Sequence, residues 1–175
     1  TLVGDHNLFN LMVAAAMAIE VGLEPMKISK ALRSFQGVAH RIEYVASVKG
    51  VKIYNDSKAT NVEATMMALG AFKQPIHLIA GGYDKHLSFE PLINQAHFIQ
   101  SLVVFGETKH QLKALFPHAI VVDTMSEAFK VSLENAKKGE IICLSPACAS
   151  YDQFKNFEDR GNQFKMMVRS LSDLE

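Results

Sequence analysis

Apolar and alanine residues recur at helical spacing from Asn10 to about Leu32. Gly22 interrupts the repeat and Pro25 suits the opening of a second, short helix, so the pattern predicts two helices in this stretch. The period then changes. RIEYVASVKGVKIYND gives two β-rich runs on either side of Lys49 and Gly50, where glycine supplies the positive φ of a tight hairpin turn.

Beyond the hairpin, PIHLIAGG, SLVVFGE, AIVVDTM and EIICLSP are short, nearly continuous apolar runs, as expected of strands buried on both faces of a parallel sheet. Helical stretches are expected between them, over Asn61–Phe72, Phe89–Phe98, Thr108–Phe116 and Ser126–Ala136, with one or two more after Tyr151. Repeated βα units imply an α/β fold: a Rossmann-like, mostly parallel sheet with flanking helices and an N-terminal β-hairpin, preceded by a helical segment. The change from helices to strands near FQGVAHR sets the expected boundary, with residues 1–37 helical and 38–175 forming the sheet domain.

At 175 residues the chain is long enough to bury one substantial core. Lys plus Arg and Asp plus Glu number 18 each, so no general attraction to nucleic acid or an anionic membrane is expected, and any anion site must be local. Cys143 and Cys148, the two cysteines, fit neither a disulfide framework nor a four-ligand zinc site, and a reducing, cytoplasmic setting is expected. The apolar run Leu11–Ile19 is too short to cross a bilayer. The seven histidines show no metal-ligand spacing. The first residue is not Met, which suggests a longer parent protein.

Open α/β sheets bind ligands beyond the carboxyl ends of their strands, and three polar loops fall there. NDSKATN follows Tyr54, GGYDKH follows Ala80, and SPACASYDQF follows Leu144. In the first loop Thr60 and Glu63 have capping-box spacing, which makes Thr60 the expected N-cap; capping explains neither Asp56 nor Lys58, which together suit an anion at a helix start. In the second, Gly81 and Gly82 permit a sharp turn from which Lys85 can reach over the rim; the loop lacks the spacing of a dinucleotide fingerprint. In the third, Ser150 and Gln153 again have capping-box spacing, which would put Ser150 at a second helix N-terminus on the same rim. Cys148 reads as a packing residue rather than a nucleophile. Near the start, Asn7 and Asn10 stand three apart, on one helix face, where carboxamides could meet a base edge; N-capping by Asn7 competes with that reading.

Taken together, GDHNLFN, HRIEYV, NDSKATN, GGYDK and LSPACASYDQFKNFEDRG closely resemble the carboxyl-terminal part of the Mur ligase family. Within the family the resemblance is to the branch that adds D-glutamate to UDP-N-acetylmuramoyl-L-alanine in peptidoglycan synthesis. It implies that residues 1–37 are the tail of a central ATPase domain and 38–175 an amino-acid-binding domain. It also implies a reaction in which ATP, with Mg²⁺, converts the UDP-sugar peptide carboxylate to an acyl phosphate that the D-glutamate amine attacks. By the same resemblance Asn7 and Asn10 lie by the adenine, Arg41 and Asp56 on the phosphate and ribose side, and Lys58 near the reacting acyl phosphate as the catalytic residue. Thr60, Lys85, Ser150, Tyr151 and Phe157 match the D-glutamate pocket, although Tyr stands at 151 where Leu or Phe would fit the pattern.

No G-x-x-x-x-G-K-[ST] phosphate loop occurs in the sequence, so ATP and Mg²⁺ are expected to be held mainly by a missing central domain, and the chain alone is expected to be inactive. Other amide ligases of the superfamily, among them folylpolyglutamate synthase, remain alternatives, as does a non-catalytic ligand-binding module. The DNPR pattern of the ligase that adds a diamino acid is absent, which favours D-glutamate.

Overall fold

The structure, a computed structural model, describes residues 3–172. Packing divides the chain into two units, one made of the first 38 residues and the other running from Ala39 onward. In the first unit, α1 (Asp5–Glu20) begins earlier than the apolar repeat suggests and α2 (Pro25–Ser34) starts at its proline. Gly22, at φ 83°, ends α1 as expected: its N–H bonds to Ile19 O and that of Leu23 to Ala18 O, so two orphan carbonyls are satisfied. Among the described residues of this unit only Ile28 is buried, while Leu8, Phe9, Met12 and Met17 of α1 are all more than 60% exposed.

The second unit opens with β1 (Glu43–Val48) and β2 (Val51–Asn55), joined by Lys49 at φ 51° and Gly50 at φ 75°. Two successive left-handed residues make the turn whose twist matches a hairpin. There follow α3 (Val62–Gly70), β3 (Ile76–Gly81), a 3-10 segment (Glu90–Phe98), β4 (Ile99–Phe105), α4 (Lys109–Leu115), β5 (Ile120–Val121), α5 (Met125–Asn135), β6 (Ile141–Leu144) and α6 (Phe157–Ser172). The sheet order is β1-β2-β6-β3-β4-β5, with β1 antiparallel to β2 and every other pairing parallel. The α/β fold expected from the sequence is therefore present, with two adjustments. Residues 90–98 form a 3-10 rather than an α-helix: Leu92 alone is buried there, and one apolar anchor cannot hold a longer regular helix. AIVVDTM supplies only a two-residue edge strand.

The core follows from strand alternation. Ile53, Ile79, Val103, Phe105, Ile142 and Leu144 of the strands join Met125, Ala128 and Phe129 of α5 and Phe164 and Val168 of α6 in one buried cluster. Tyr54, on the other face of β2, packs against Phe72 with ring centroids 4.7 Å apart.

Close approach of α6 to the end of β2 depends on Gly161. A Cβ there would overlap Nδ1 of buried His40 and lie 3.0 Å from Ser57 Cβ, whereas a Cβ on helical Gly70 would meet nothing within 4 Å. Gly161→Ala should lower stability by about 1–3 kcal/mol through overpacking, and Gly70→Ala should be neutral or stabilise by up to about 1 kcal/mol. Urea melts of the two variants check the contrast; equal effects would remove the packing argument.

Candidate functional site

β2, β6 and β3 are neighbours in the sheet although β6 is last in sequence, so the chain reverses its order of strand addition here. Such switch points open a crevice at the carboxyl ends of the strands. All three polar loops leave these strands: residues 56–61 after β2, 82–88 after β3 and 145–156 after β6. They are tied to each other directly. Gly81 N–H bonds to Pro146 O, Tyr83 N–H to Ala149 O, and Asp56 N–H to Leu144 O, at 2.9, 2.9 and 2.8 Å. Gly82, at φ 146°, makes the approach possible, because a Cβ there would overlap the Ala149 carbonyl oxygen.

The β2 loop is also pinned to the entry of the second unit. His40 and Ile42 are left-handed, at φ 63° and 45°, and for a β-branched residue that conformation is strained. His40 O accepts from Lys58 N (2.9 Å) and Ile42 N donates to Asp56 Oδ1 (3.1 Å), so the kink is held by the loop it faces. Asn55 extends the link: its amide nitrogen lies 3.0 Å from His40 Nδ1 and 3.2 Å from Glu43 Oε2, and its oxygen accepts from Ser57 N. Burial alone would raise the Glu43 carboxyl, but the His40 N–H and the Lys165 ammonium, 3.1 Å away, hold it below its ordinary value. Burial, then Lys165, pushes the His40 imidazole down.

Asp56 is 3% exposed. Burial drives its pKa up to about 7, against the Ser145 hydroxyl (2.6 Å to Oδ2), the Ile42 N–H, and the charges of Arg41 and Arg160. The Ser145 hydroxyl also lies 3.0 Å from Thr65 Oγ1, which anchors the carboxyl to α3. A group so placed can exchange a proton, or accept from a ligand donor, near neutral pH.

The structure brings most of the expected pocket residues to this rim. Exposed Lys58 places Nζ 5.7 Å from the centroid of the Phe157 ring, and exposed Lys85 donates from Nζ to Thr60 O at 3.0 Å. Tyr151, 67% exposed, meets Tyr83 edge to face at 6.1 Å. Arg41 is exposed, and Ser150 is buried. Asn10 is exposed on α1, and Asn7 donates to Val3 O (2.7 Å) instead of capping an N–H; both belong to the helical unit.

Both capping expectations in the loops need correction. Thr60 is not the N-cap of α3: Asn61 is, with extended φ −147° and ψ 167° that aim its carboxamide at Ala64 N (3.0 Å). Ser150 does not open a helix. Its carbonyl closes turns to Gln153 N and Phe154 N, the Gln153 side chain leaves for Asp123 O, and α6 waits until Phe157, where Asn156 accepts from Asp159 N at 2.7 Å. Cys148, pushed up to about 11 by burial, keeps its thiol, as a packing residue would. Arg160, absent from the expected site residues, is a wholly buried guanidinium against these loops; its only sequence signal is its place in the EDRG end of LSPACASYDQFKNFEDRG.

Among known proteins, residues 40–148 match the family model described as Mur ligase, glutamate ligase domain. The UDP-N-acetylmuramoylalanine–D-glutamate ligase of Caldanaerobacter subterraneus is 45% identical across 96% of this chain, and that of Oenococcus oeni is 44% identical across 97%. The chain spans 39% and 40% of those two relatives. Of solved structures, UDP-N-acetylmuramate-alanine ligase from Thermotoga maritima superimposes with TM-score 0.70 at 18% identity, over 97% of this chain and 39% of that one. Folylpolyglutamate synthase from the same organism gives 0.64 at 16%, over 100% and 40%, so the fold extends across ligases of divergent sequence. The rim of polar loops at the switch point thus belongs to a known architecture, and the chain is a member of the Mur ligase family, carrying its glutamate ligase domain.

Proposed function

We propose that this chain is the carboxyl-terminal portion of an ATP-dependent ligase that joins D-glutamate to UDP-N-acetylmuramoyl-L-alanine in cytoplasmic peptidoglycan synthesis. The observation that supports the reading is the likeness of nearly all of this chain to part of ligases named for that reaction, together with the gathering of Lys58, Thr60, Lys85, Tyr151 and Phe157 on one rim. Two cations at that rim suit two anionic groups, a carboxylate of the incoming amino acid at Lys85 and the activated carboxyl at Lys58. In this assignment Lys85, Thr60, Ser150, Tyr151 and Phe157 receive D-glutamate, and Lys58 faces the carboxyl group being activated. Arg41 and Asp56 serve the phosphate and ribose side of the nucleotide, and Asn7 and Asn10 its adenine.

ATP supplies the activation, as an acyl phosphate of the UDP-sugar peptide; attack by the D-glutamate amine forms the amide and releases phosphate. The chain spans about two fifths of the relatives it matches, and Mg²⁺ and the phosphate cradle are assigned to a central ATPase domain in the part it does not span. Residues 1–37 are then the tail of that domain. Their apolar, exposed α1 agrees with a helix that belongs in a larger body. No described helix is long and apolar enough to cross a membrane.

The deciding experiment fuses this chain to the amino-terminal portion of the Oenococcus oeni ligase. The fusion should form amide and release phosphate with D-glutamate and UDP-N-acetylmuramoyl-L-alanine, while the chain alone leaves ATP intact. Equal use of L-lysine or a diamino acid, or turnover by the chain alone, would overturn the assignment. In the fusion, Lys85→Ala removes a charge-assisted contact worth about 1.5–3 kcal/mol, so KM for D-glutamate should rise about ten- to a hundredfold with little change for ATP.

The Asp56 carboxyl gives a pH test. Its folded pKa, about 7, lies above the unfolded value near 3.9, so the folded state retains the proton longer. Stability therefore falls as pH rises between those values, and about 2–3 kcal/mol should be lost from pH 5 to pH 8 on this group's account. Asp56→Asn, which keeps an acceptor for Ile42, should remove that part of the slope in denaturant melts. An unchanged slope would show that Asp56 is ionised throughout.

A further inference from the structure

Arg160 lies in the first turn of α6 with its side chain wholly buried, a position that is unfavourable for a charge unless its donors are satisfied. Four of its five N–H donors are satisfied, all by uncharged oxygens. Nε donates to Ser57 Oγ at 2.9 Å, Nη2 to Ser57 O at 2.8 Å and Cys148 O at 3.0 Å, and Nη1 to Ala149 O at 3.1 Å. Burial lowers its pKa to about 10, which leaves it charged at neutral pH. Three of the four acceptors are main-chain carbonyls, divided between the β2 loop and the β6 loop. The β3 loop closes on the same group, for a Cβ on Gly82 would lie 3.2 Å from Nη1.

A side-chain acceptor can turn away, but a carbonyl moves only with its backbone. The planar guanidinium fork therefore fixes how far apart the two loops stand, which a single ammonium with mobile donors cannot do. One of those loops carries Lys58 and Thr60, and the other Ser150 and Tyr151. Resting on the function proposed above, we infer that Arg160 is a positioning residue of the amino-acid pocket. It holds the Lys58–Thr60 loop and the Ser150–Tyr151 loop at the separation that a dicarboxylic amino acid spans, without touching the ligand.

The test uses the fusion ligase. Arg160→Lys should raise KM for D-glutamate at least about tenfold, with KM for ATP and for the UDP-sugar peptide each within about twofold of wild type. Methylguanidinium added to Arg160→Ala should restore D-glutamate use in part. Equal losses on all three substrates would make Arg160 a folding staple only, and no loss on D-glutamate in a folded variant would equally overturn the inference. Should neither Arg160 variant fold, Ser57→Ala decides, since it deletes the Nε acceptor, together with the Ser57 bond to the Phe157 carbonyl, and leaves the guanidinium and three carbonyls in place. It should raise KM for D-glutamate alone, and an unchanged KM for D-glutamate overturns the inference. A wild-type fusion that ignores D-glutamate defeats the functional reading itself, a failure visible before any variant is compared.

Discussion

A guanidinium buried without a carboxylate partner constrains the arrangement of this rim. Arg160 satisfies four of its five N–H donors on the oxygens of Ser57, Cys148 and Ala149. Removing such a group from water is unfavourable by several kcal/mol, and acceptors held in fixed positions on four of the five donors offset much of that. The acceptors lie about a hundred residues upstream and about a dozen upstream of Arg160, at the ends of two neighbouring strands. The rim is consequently complete only when the last helix has docked. Gly161, next in sequence, removes the Cβ that would keep that helix away from His40 and Ser57.

Asp56 is the counterpart with opposite sign. It stands one residue beyond β2, accepts from the strained Ile42 and from Ser145, and has only the distant help of Arg41 and Arg160 against burial. Left-handed His40 and Ile42 lie on the order of 1–3 kcal/mol each above relaxed backbone, and the bonds to Asp56 and Lys58 N offset part of it. Strain in the kink, protonation of the carboxyl and position of the β2 loop are thus one coupled system. A change of charge on Asp56 acts on the kink through a single hydrogen bond.

The βα alternation was legible because parallel strands buried on both faces must be continuously apolar, and IHLIA, LVVF and IICL leave no other good reading. The hairpin was legible because Lys49–Gly50 sits between two β-branched runs. Caps were not, since a string such as KATN offers two candidates and the choice rests on one residue's backbone angles; Asn61, extended, wins over Thr60. Ser150 misled for a related reason: capping-box spacing is a local signal, and tertiary bonds from Gln153 to Asp123 and from Ser57 to the Phe157 carbonyl displaced the helix start. Arg160 was invisible as a buried residue because nothing local marks an arginine whose partners are distant carbonyls.

Both exposed lysines of the rim already have partners, and the strength of those partners governs what the site can do. A cation over a ring at 5.7 Å gains about 0.5–1 kcal/mol when exposed, and an ammonium on a neutral carbonyl loses little by exchanging it for a carboxylate. Phe157 and the Thr60 carbonyl therefore hold Lys58 and Lys85 in place without competing strongly with an acidic ligand. That restraint lowers the side-chain entropy lost on binding. Charged groups kept weakly occupied, on loops tied together by a strongly occupied one, are the physical basis on which the proposed amino-acid pocket is preorganised for an acidic ligand.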